Sequence, residues 1–479
     1  VSDDPLVPAR SPGFWTLDRV AAALAGGPAG GHSAPPSRRG VLDATRRTGG
    51  AGLRGVATDS RTAGDGDIFV ALDGERFDGH DFLAAAVRQG ASAVVVSRPE
   101  RAQGLGVPVF AVPDTLVALG ELARYRRRAW GKSVIAIAGS NGKTTTKELV
   151  RGALGAALTV HATTANYNNR IGVPLTLLGI PDAADVAVIE MGTNAHGEVA
   201  ILRAIAEPDV AVVTSIGEEH LEGFGDLAGV LAEESAVFTR DSLGIVPASE
   251  TALVAAARAR AQSVVAAGLG EGDLRASSWE VGAAGEGEGQ MVVEGVPVVV
   301  PLRGAHNLRN AMLALAVARA CGVPMAVAAA GLRGVAGPPM RSTWAQLGRA
   351  TLINDAYNSN PASARAALDL LDAVGTGRQR VVVLGTMREL GAAGPALHAE
   401  IAQRALASPF DVIAGVGEFA SALERAGGAD PRLVTAPDID GLWPRLRERL
   451  APDAVILLKA SRGVRLERLV PPLTEWATT

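Results

Sequence analysis

The chain reads as an α/β protein with parallel sheets, divided into three domains. Its apolar content of 48% is ample for several cores, yet aromatics make up only 4%. Ala, Val, Leu and Gly dominate instead, the composition of Val/Leu strands layered against Ala-rich helices. At 479 residues the length allows roughly three such domains.

Along the chain, residues 1–13 read as a loose leader and WTLDRVAAALA (15–25) as a first helix. The Gly/Pro/Ser/Arg-rich stretch 26–52 is expected to be flexible. From 56 to 97 short strands and helices alternate: a strand near 68–72, a helix near 82–89 and a strand at 93–96. A strand at 107–112 and a helix at 115–129 close a first domain, 1–130. The second domain, 131–337, has strands at 134–138, 186–191, 210–214 and 244–247, a β segment at 291–301 and a helix at 307–320. A linker at 334–339 leads to the third domain, 338–479, with strands at 351–354, 381–385, 412–416 and 455–459. No internal repeat is visible.

Net charge is −4, so no basic field points to nucleic acid. The single cysteine, Cys321, excludes a disulfide framework or zinc ribbon and reads as a core thiol in an Ala-rich helix. The start, VSDDPLVPAR, has no apolar segment of a signal peptide, and no run of about 18 apolar residues exists. A cytoplasmic enzyme without membrane contact is expected.

The most informative segment is SVIAIAGSNGKTTTKELV, residues 133–150. A β-branched run meets Gly139-Ser140-Asn141-Gly142, then Lys143, Thr144, Thr145 and a helical pattern. Glycines let backbone N–H groups close on phosphate oxygens, and the helix N-terminus adds partial positive charge. The lysine adds a full charge, and a threonine hydroxyl suits Mg²⁺. The loop is abbreviated, because Ile137 stands where a full Walker A motif has its first glycine. The plain alternative is a strand–turn–helix with a surface lysine, which leaves the run of hydroxyls without a purpose.

Three further constellations carry chemistry. VAVIEMG ends a buried strand in Glu190, the expected place for a Mg²⁺ partner; a surface or capping glutamate is the plain alternative. VAVVTSIGEEHLEGFG ends a strand in a loop holding His220, a metal ligand or phosphate contact, although lone histidines are commonly structural. Asn166, Asn168 and Asn169 crowd one loop, suited either to a polar substrate or simply to turns.

The ordered set GSNGKTTTKELV, NYNNRIGVPLTLL, IEMGTNAHGEV, EEHLEGFGDLAGV, GAHNLRNAMLALAVA, NDAYNSNPASARAAL, LGTMRELG and LLKASRG resembles the Mur ligases, the ATP-dependent enzymes that build the peptidoglycan stem peptide. The resemblance runs from Trp15 to about Val470. TDSRTAGDGDIFVALDGERFDGHDFL is similar to the family's UDP-sugar-binding domain. DAYNSNP and LGTMRELG resemble the branch that joins D-alanyl-D-alanine to UDP-N-acetylmuramoyl-tripeptide. The implied fold is an N-terminal UDP-sugar-binding domain, a central P-loop ATPase-type domain and a C-terminal Rossmann-like ligase domain on the D-Ala-D-Ala side.

The resemblance implies an acyl phosphate, formed from the tripeptide carboxylate and the γ-phosphate of ATP, then attacked by the amine. It assigns Lys143 to the β/γ oxygens, Thr144 and Glu190 to one Mg²⁺, and His220 to a second. Asn307 and Asn310 match an adenine-binding pair, Arg341 an arginine reaching the ATP phosphates, and Asp355 and Tyr357 a loop near the ribose. Ser60 and Arg61, with Asp78 and His80 in the flanking loop, match the UDP-sugar site, and Asn168 a residue near substrate and γ-phosphate. A monomer is implied.

Three departures stand out. Fourteen residues after His220 the family carries a lysine whose carbamate helps hold the second Mg²⁺; here Glu234 stands there, with Glu233 beside it. Glutamate is a permanent carboxylate on a stem shorter by roughly 4 Å, so Glu234 is expected to reach the metal through a water or a closer helix, without CO₂. Thr386 replaces an aspartate of LGDM, and Ala460 the glycine of KGSR. Competing readings are another amide ligase of the superfamily, such as one adding a single amino acid or a folylpolyglutamate synthetase, and a catalytically silent scaffold.

Overall fold

The computed structural model describes residues 9–26, 53–74, 77–282, 288–374 and 377–478. Most of the segment expected to be flexible, 27–52, lies outside them, as do residues 1–8 of the expected leader. The architecture is mixed α/β throughout. No helix among the described residues is long and apolar enough to cross a membrane.

The first sheet has the order β1 (Ala9–Trp15), β2 (Leu53–Ala57), β3 (Asp67–Val70), β4 (Ala93–Val96) and β5 (Val109–Ala111). β1 is antiparallel to β2 and the rest are parallel. The expected leader is therefore corrected from Ala9 onward: it is an edge strand, which a polar, Pro-containing sequence conceals. The first helix begins at Leu17, because Thr16 caps it by accepting from Arg19 N at 3.2 Å.

Beyond the helix Thr115–Trp130 run β6 (Ser133–Ala138), β7 (Val160–Ala162), β8 (Val186–Glu190), β9 (Val210–Val213), β10 (Leu243–Pro247), β11 (Ser263–Gly268), β12 (Leu274–Val281), β13 (Gly289–Val293) and β14 (Val296–Val300). β6, β8 and β7 pair in parallel in that order, with β8 fully buried. β10, β11 and β12 are parallel, and β13 and β14 continue as an antiparallel hairpin. The last sheet has the order β15 (Thr343–Leu347), β16 (Ala350–Asp355), β20 (Val455–Lys459), β17 (Arg380–Gly385), β18 (Val412–Val416) and β19 (Leu433–Ala436). Buried side chains cover both of its faces, as parallel strands under helices require.

Two compact units result. One comprises the described residues of Val1–Ile137, Leu158–Thr193 and Gly197–Ala211; the other those of Ala138–Ala157, Asn194–His196 and Val212–Thr479. The first unit is held by the helix Thr115–Trp130. Its buried Arg126 donates to Ile180 O at 2.7 Å and pairs with Asp182 at 2.6 Å. Its neighbour Arg127 reaches Ala206 O at 2.9 Å and Asp209 at 2.9 Å. Cys321 differs from expectation: it lies just past the helix Ala305–Ala320 and is half-buried.

Candidate active site

The phosphate loop belongs to the second unit. Gly139 (φ +116°) and Gly142 (φ +86°) take the backbone that L side chains rarely adopt. A Cβ on Gly139 would lie 2.5 Å from Thr214 Oγ1, and one on Gly142 2.9 Å from Asn310 Oδ1. The loop is pinned from below: Ser140 N donates to Ser215 O at 2.9 Å, Asn141 N to Ser215 Oγ at 3.0 Å, and Gly217 N to Ser140 Oγ at 2.9 Å. Lys143, Thr144 and Thr145 open the helix Lys143–Gly155. Lys143 folds back, donating to Gly139 O and, at 3.2 Å, to Ser140 O. A cation resting on loop carbonyls is available to exchange them for phosphate oxygens.

Around that ammonium stand two buried carboxylates. Glu219 Oε1 is 3.7 Å from Lys143 Nζ. Glu234 Oε2 accepts from Gly139 N at 2.7 Å, while Oε1 of each glutamate is buried without a hydrogen bond. Burial pushes the Glu234 carboxyl up to about 7; Glu219 and Glu233 push the same way, against Lys143 and the Gly139 N–H. Burial also raises Glu219, against the pull of Lys143 and His220. Two carboxylates thus share one ammonium, an excess of buried negative charge that a cation or a proton relieves. This donor set fits a divalent cation. No group of three or more His, Cys, Asp or Glu side chains among the described residues is already gathered as a metal cage.

His220 begins the short helix Leu221–Phe224 in a left-handed conformation, φ +48°. Its Nδ1 lies 2.5 Å from Glu389 Oε2, and its ring meets Phe224 edge-on, centroids 6.2 Å apart. Burial alone would lower the imidazole; the Glu389 hydrogen bond and the Glu219 charge outweigh it and raise it.

Asn307 and Asn310 are brought together, both buried, with Asn310 Nδ2 donating to Asn307 Oδ1 at 3.3 Å and Asn307 Nδ2 to Arg303 O at 2.8 Å. Asn310 sits against Gly142, so the pair also supports the loop. Arg341 lies between two left-handed residues, Met340 (φ +56°) and Ser342 (φ +51°), and stacks on Tyr357 at 4.1 Å. Asp355 accepts from Ser342 N at 2.8 Å and pairs with Lys459 at 2.7 Å.

Sequence reasoning missed the contacts that third-domain residues make at the loop. Asn360 caps the helix Pro361–Ala373 and donates from Nδ2 to Asn141 Oδ1 at 3.0 Å. Arg365 bridges Glu218 at 3.1 Å and Glu400 at 2.8 Å. Glu219 and Glu389 were missed too, although each sits inside a quoted motif, because neither residue type at its spacing announces a partner. Thr386 is absorbed locally: its Oγ1 accepts from Glu418 N at 3.0 Å, capping the helix Glu418–Gly427. Ala460 is fully buried where a Cβ on Gly385 would lie 2.8 Å from it, so only a small residue fits.

The first unit holds the remaining candidates. Asn168 Nδ2 donates to Glu190 Oε1 at 3.0 Å, and Glu190 N to Thr163 Oγ1 at 2.9 Å. A Cβ on Gly192 would lie 2.9 Å from the Asn168 amide, so IEMG needs its glycine to seat that amide. Asn169 is a turn residue, accepting from Ile171 N and Gly172 N at 3.1 and 2.9 Å. Ser60 and Arg61 occupy a turn after β2, Arg61 exposed and paired with Asp59 at 2.6 Å. His80 is buried. Its Nδ1 lies 2.7 Å from Asp78, and its Nε2 accepts from Ser97 N at 3.0 Å and Arg98 N at 3.3 Å. Both ring nitrogens of His80 are spent within the protein.

Residues 53–127 match the Mur ligase family catalytic domain, 137–318 the Mur ligase middle domain, and 340–462 the Mur ligase glutamate ligase domain. The UDP-N-acetylmuramoyl-tripeptide--D-alanyl-D-alanine ligase of Escherichia coli K12 is 35% identical over 441 residues, 89% of this chain and 95% of that protein. The crystal structure of MurF from Acinetobacter baumannii superposes with a TM-score of 0.82 at 30% identity, over 98% of this chain and 100% of that one. MurF ligase from Thermotoga maritima in complex with ADP gives 0.79 at 26% identity, over 88% and 97%. The chain belongs to the Mur ligase family.

Proposed function

We propose that this chain is an ATP-dependent amide ligase that joins D-alanyl-D-alanine to UDP-N-acetylmuramoyl-tripeptide. The observation that carries the reading is the phosphate loop: two left-handed glycines, a lysine held on loop carbonyls, and third-domain contacts at Asn141 and Glu218. The near-full-length likeness to enzymes of that name supplies the substrates.

In this reading the tripeptide carboxylate oxygen attacks the γ-phosphorus and ADP leaves. The D-Ala-D-Ala nitrogen then attacks the acyl carbon; the amide forms, phosphate leaves and the nitrogen loses a proton. Reactants are anionic, so positioning and charge do most of the work. Gly139, Ser140, Asn141 and Gly142 present N–H groups to phosphate, and Lys143 moves from loop carbonyls to the β/γ oxygens. Asn307 and Asn310 flank the loop for the base, while Arg341, Asp355 and Tyr357 serve the nucleotide from the third domain. Thr144, His220 and Glu234 would hold Mg²⁺, with Glu219 adding charge. Mg²⁺, when bound, screens the phosphate oxygens. On the first unit, Glu190 is proposed for a cation, Asn168 for the substrate, and Ser60 and Arg61 for the UDP-sugar. Asp78 and His80 shape the neighbouring loop rather than contact ligand. Two Mg²⁺ sites and a monomer remain part of the proposal.

The test is phosphate release by purified protein with ATP, Mg²⁺, UDP-N-acetylmuramoyl-tripeptide and D-Ala-D-Ala, with and without bicarbonate. Release that requires the dipeptide and ignores bicarbonate is expected. Release with single amino acids but not the dipeptide would assign another ligase, and none at all a scaffold.

A further inference from the structure

We infer that Glu389 is the positioning residue of His220. This rests on the ligase reading above, in which His220 serves the divalent cation. Glu389 Oε2 and His220 Nδ1 are 2.5 Å apart, and no hydrogen bond reaches His220 Nε2 from the described residues. The hydrogen bond at one ring nitrogen sets the tautomer: with Nδ1–H donating to the carboxylate, Nε2 keeps its lone pair for a ligand.

The pairing is built by backbone as well as side chains. His220 (φ +48°) and Glu389 (φ +66°) both take left-handed conformations that non-glycine residues rarely adopt. Glu222 N donates to Glu389 O at 3.3 Å, which fastens the two loops together beside the ion pair. Gly391 (φ +55°) lets the chain pass so close that a Cβ there would lie 3.2 Å from Glu222 Cα. Phe224 fixes the ring from its edge. The carboxylate comes from the segment after β17, so the third domain supplies the orientation of a middle-domain ligand. Metal-binding histidines gain affinity from such carboxylates by roughly 10–100-fold.

The experiment uses the full chain. In metal-free protein labelled with ¹⁵N-histidine, at about pH 9 where imidazoles are neutral, His220 is assigned by its loss in His220→Gln. The wild type is expected to show the Nδ1–H tautomer and Glu389→Ala a mixture. Glu389→Gln, whose amide oxygen still accepts, retains Nδ1–H. The Mg²⁺ concentration for half-maximal phosphate release should rise roughly 10–100-fold in Glu389→Ala and be largely restored in Glu389→Gln. An unchanged tautomer in Glu389→Ala, its loss in Glu389→Gln, or a Mg²⁺ requirement that is unchanged or lower overturns the assignment. A wild type that releases no phosphate with the dipeptide overturns the ligase reading instead, while the tautomer is still read.

Discussion

Two histidine–carboxylate pairs in this molecule have nearly the same geometry and different consequences. His80 and Asp78 meet at 2.7 Å, His220 and Glu389 at 2.5 Å, both through Nδ1. Around His80 every polar atom is satisfied: Nε2 takes Ser97 N and Arg98 N, and Arg98 also grips Asp78 and Asp73. Of the His220 ring nitrogens only Nδ1 is paired among the described residues; its neighbour Glu219, and Glu234 beside that glutamate, each bury one oxygen without a hydrogen bond. A closed cluster staples loops together. An open one stores desolvation cost that a ligand can relieve. Residue type does not separate the two; burial, fuller around His80 than around His220 and Glu389, and what the second nitrogen meets do.

The largest expected effect tests the open side. His220→Gln should lower kcat by about 100-fold or more while the thermal midpoint stays close to wild type. A near-wild-type rate would place His220 with His80 as a staple.

Glu234→Gln sharpens the same contrast through pH. The folded carboxyl sits at about 7, above its ordinary 4.5, so the native state holds a proton that the unfolded chain releases. Its contribution to stability is therefore present below about pH 4.5 and lost as pH rises through about 7, a swing on the order of 3 kcal/mol. In metal-free protein Glu234→Gln should melt higher than wild type at pH 8 and alike at pH 4.5, with turnover strongly reduced. Parallel melting curves across that range would show that Glu234 is not the buried, protonatable acid described.

His80→Ala should do the reverse of His220→Gln. Removing the closed cluster's centre takes one partner from Asp78, which keeps Arg98, and strands the Ser97 N–H; it costs roughly 2 kcal/mol, read as a lower midpoint with kcat of the folded enzyme little changed. Asn360→Ala should cost about 1 kcal/mol through its lost helix cap and raise the KM for ATP through its lost hold on Asn141; a change in midpoint alone would remove Asn360 from the site. Smallest of all, Arg61→Ala should move stability by less than about 1 kcal/mol, since its pair with Asp59 is exposed. Its effect should appear as a higher KM for the UDP-linked substrate, and an unchanged KM would free that turn from the UDP-sugar site.

The sequence alone determined the parallel α/β class, the phosphate loop and the family. Each depends on local order: β-branched runs become strands, glycines before a lysine become a loop, and motifs recur at fixed spacing. β4, β6, β16 to β18 and the helix Thr115–Trp130 follow from such patterns or lie close to where they fall, whereas the edge strand β1 was hidden because a strand paired on one side needs no apolar alternation. Glu234 was legible as a glutamate standing where the resemblance implies a lysine. Its acceptance from Gly139 N and its burial beside Glu219 and Lys143 were not, because 95 residues of chain separate it from that glycine. Only tertiary structure brings such groups within the few ångströms over which hydrogen bonds and low-dielectric charges act. For the same reason the sequence could name His80 and His220, and only the fold could show that both ring nitrogens of one are bonded within the protein while the other pairs through Nδ1 with Glu389.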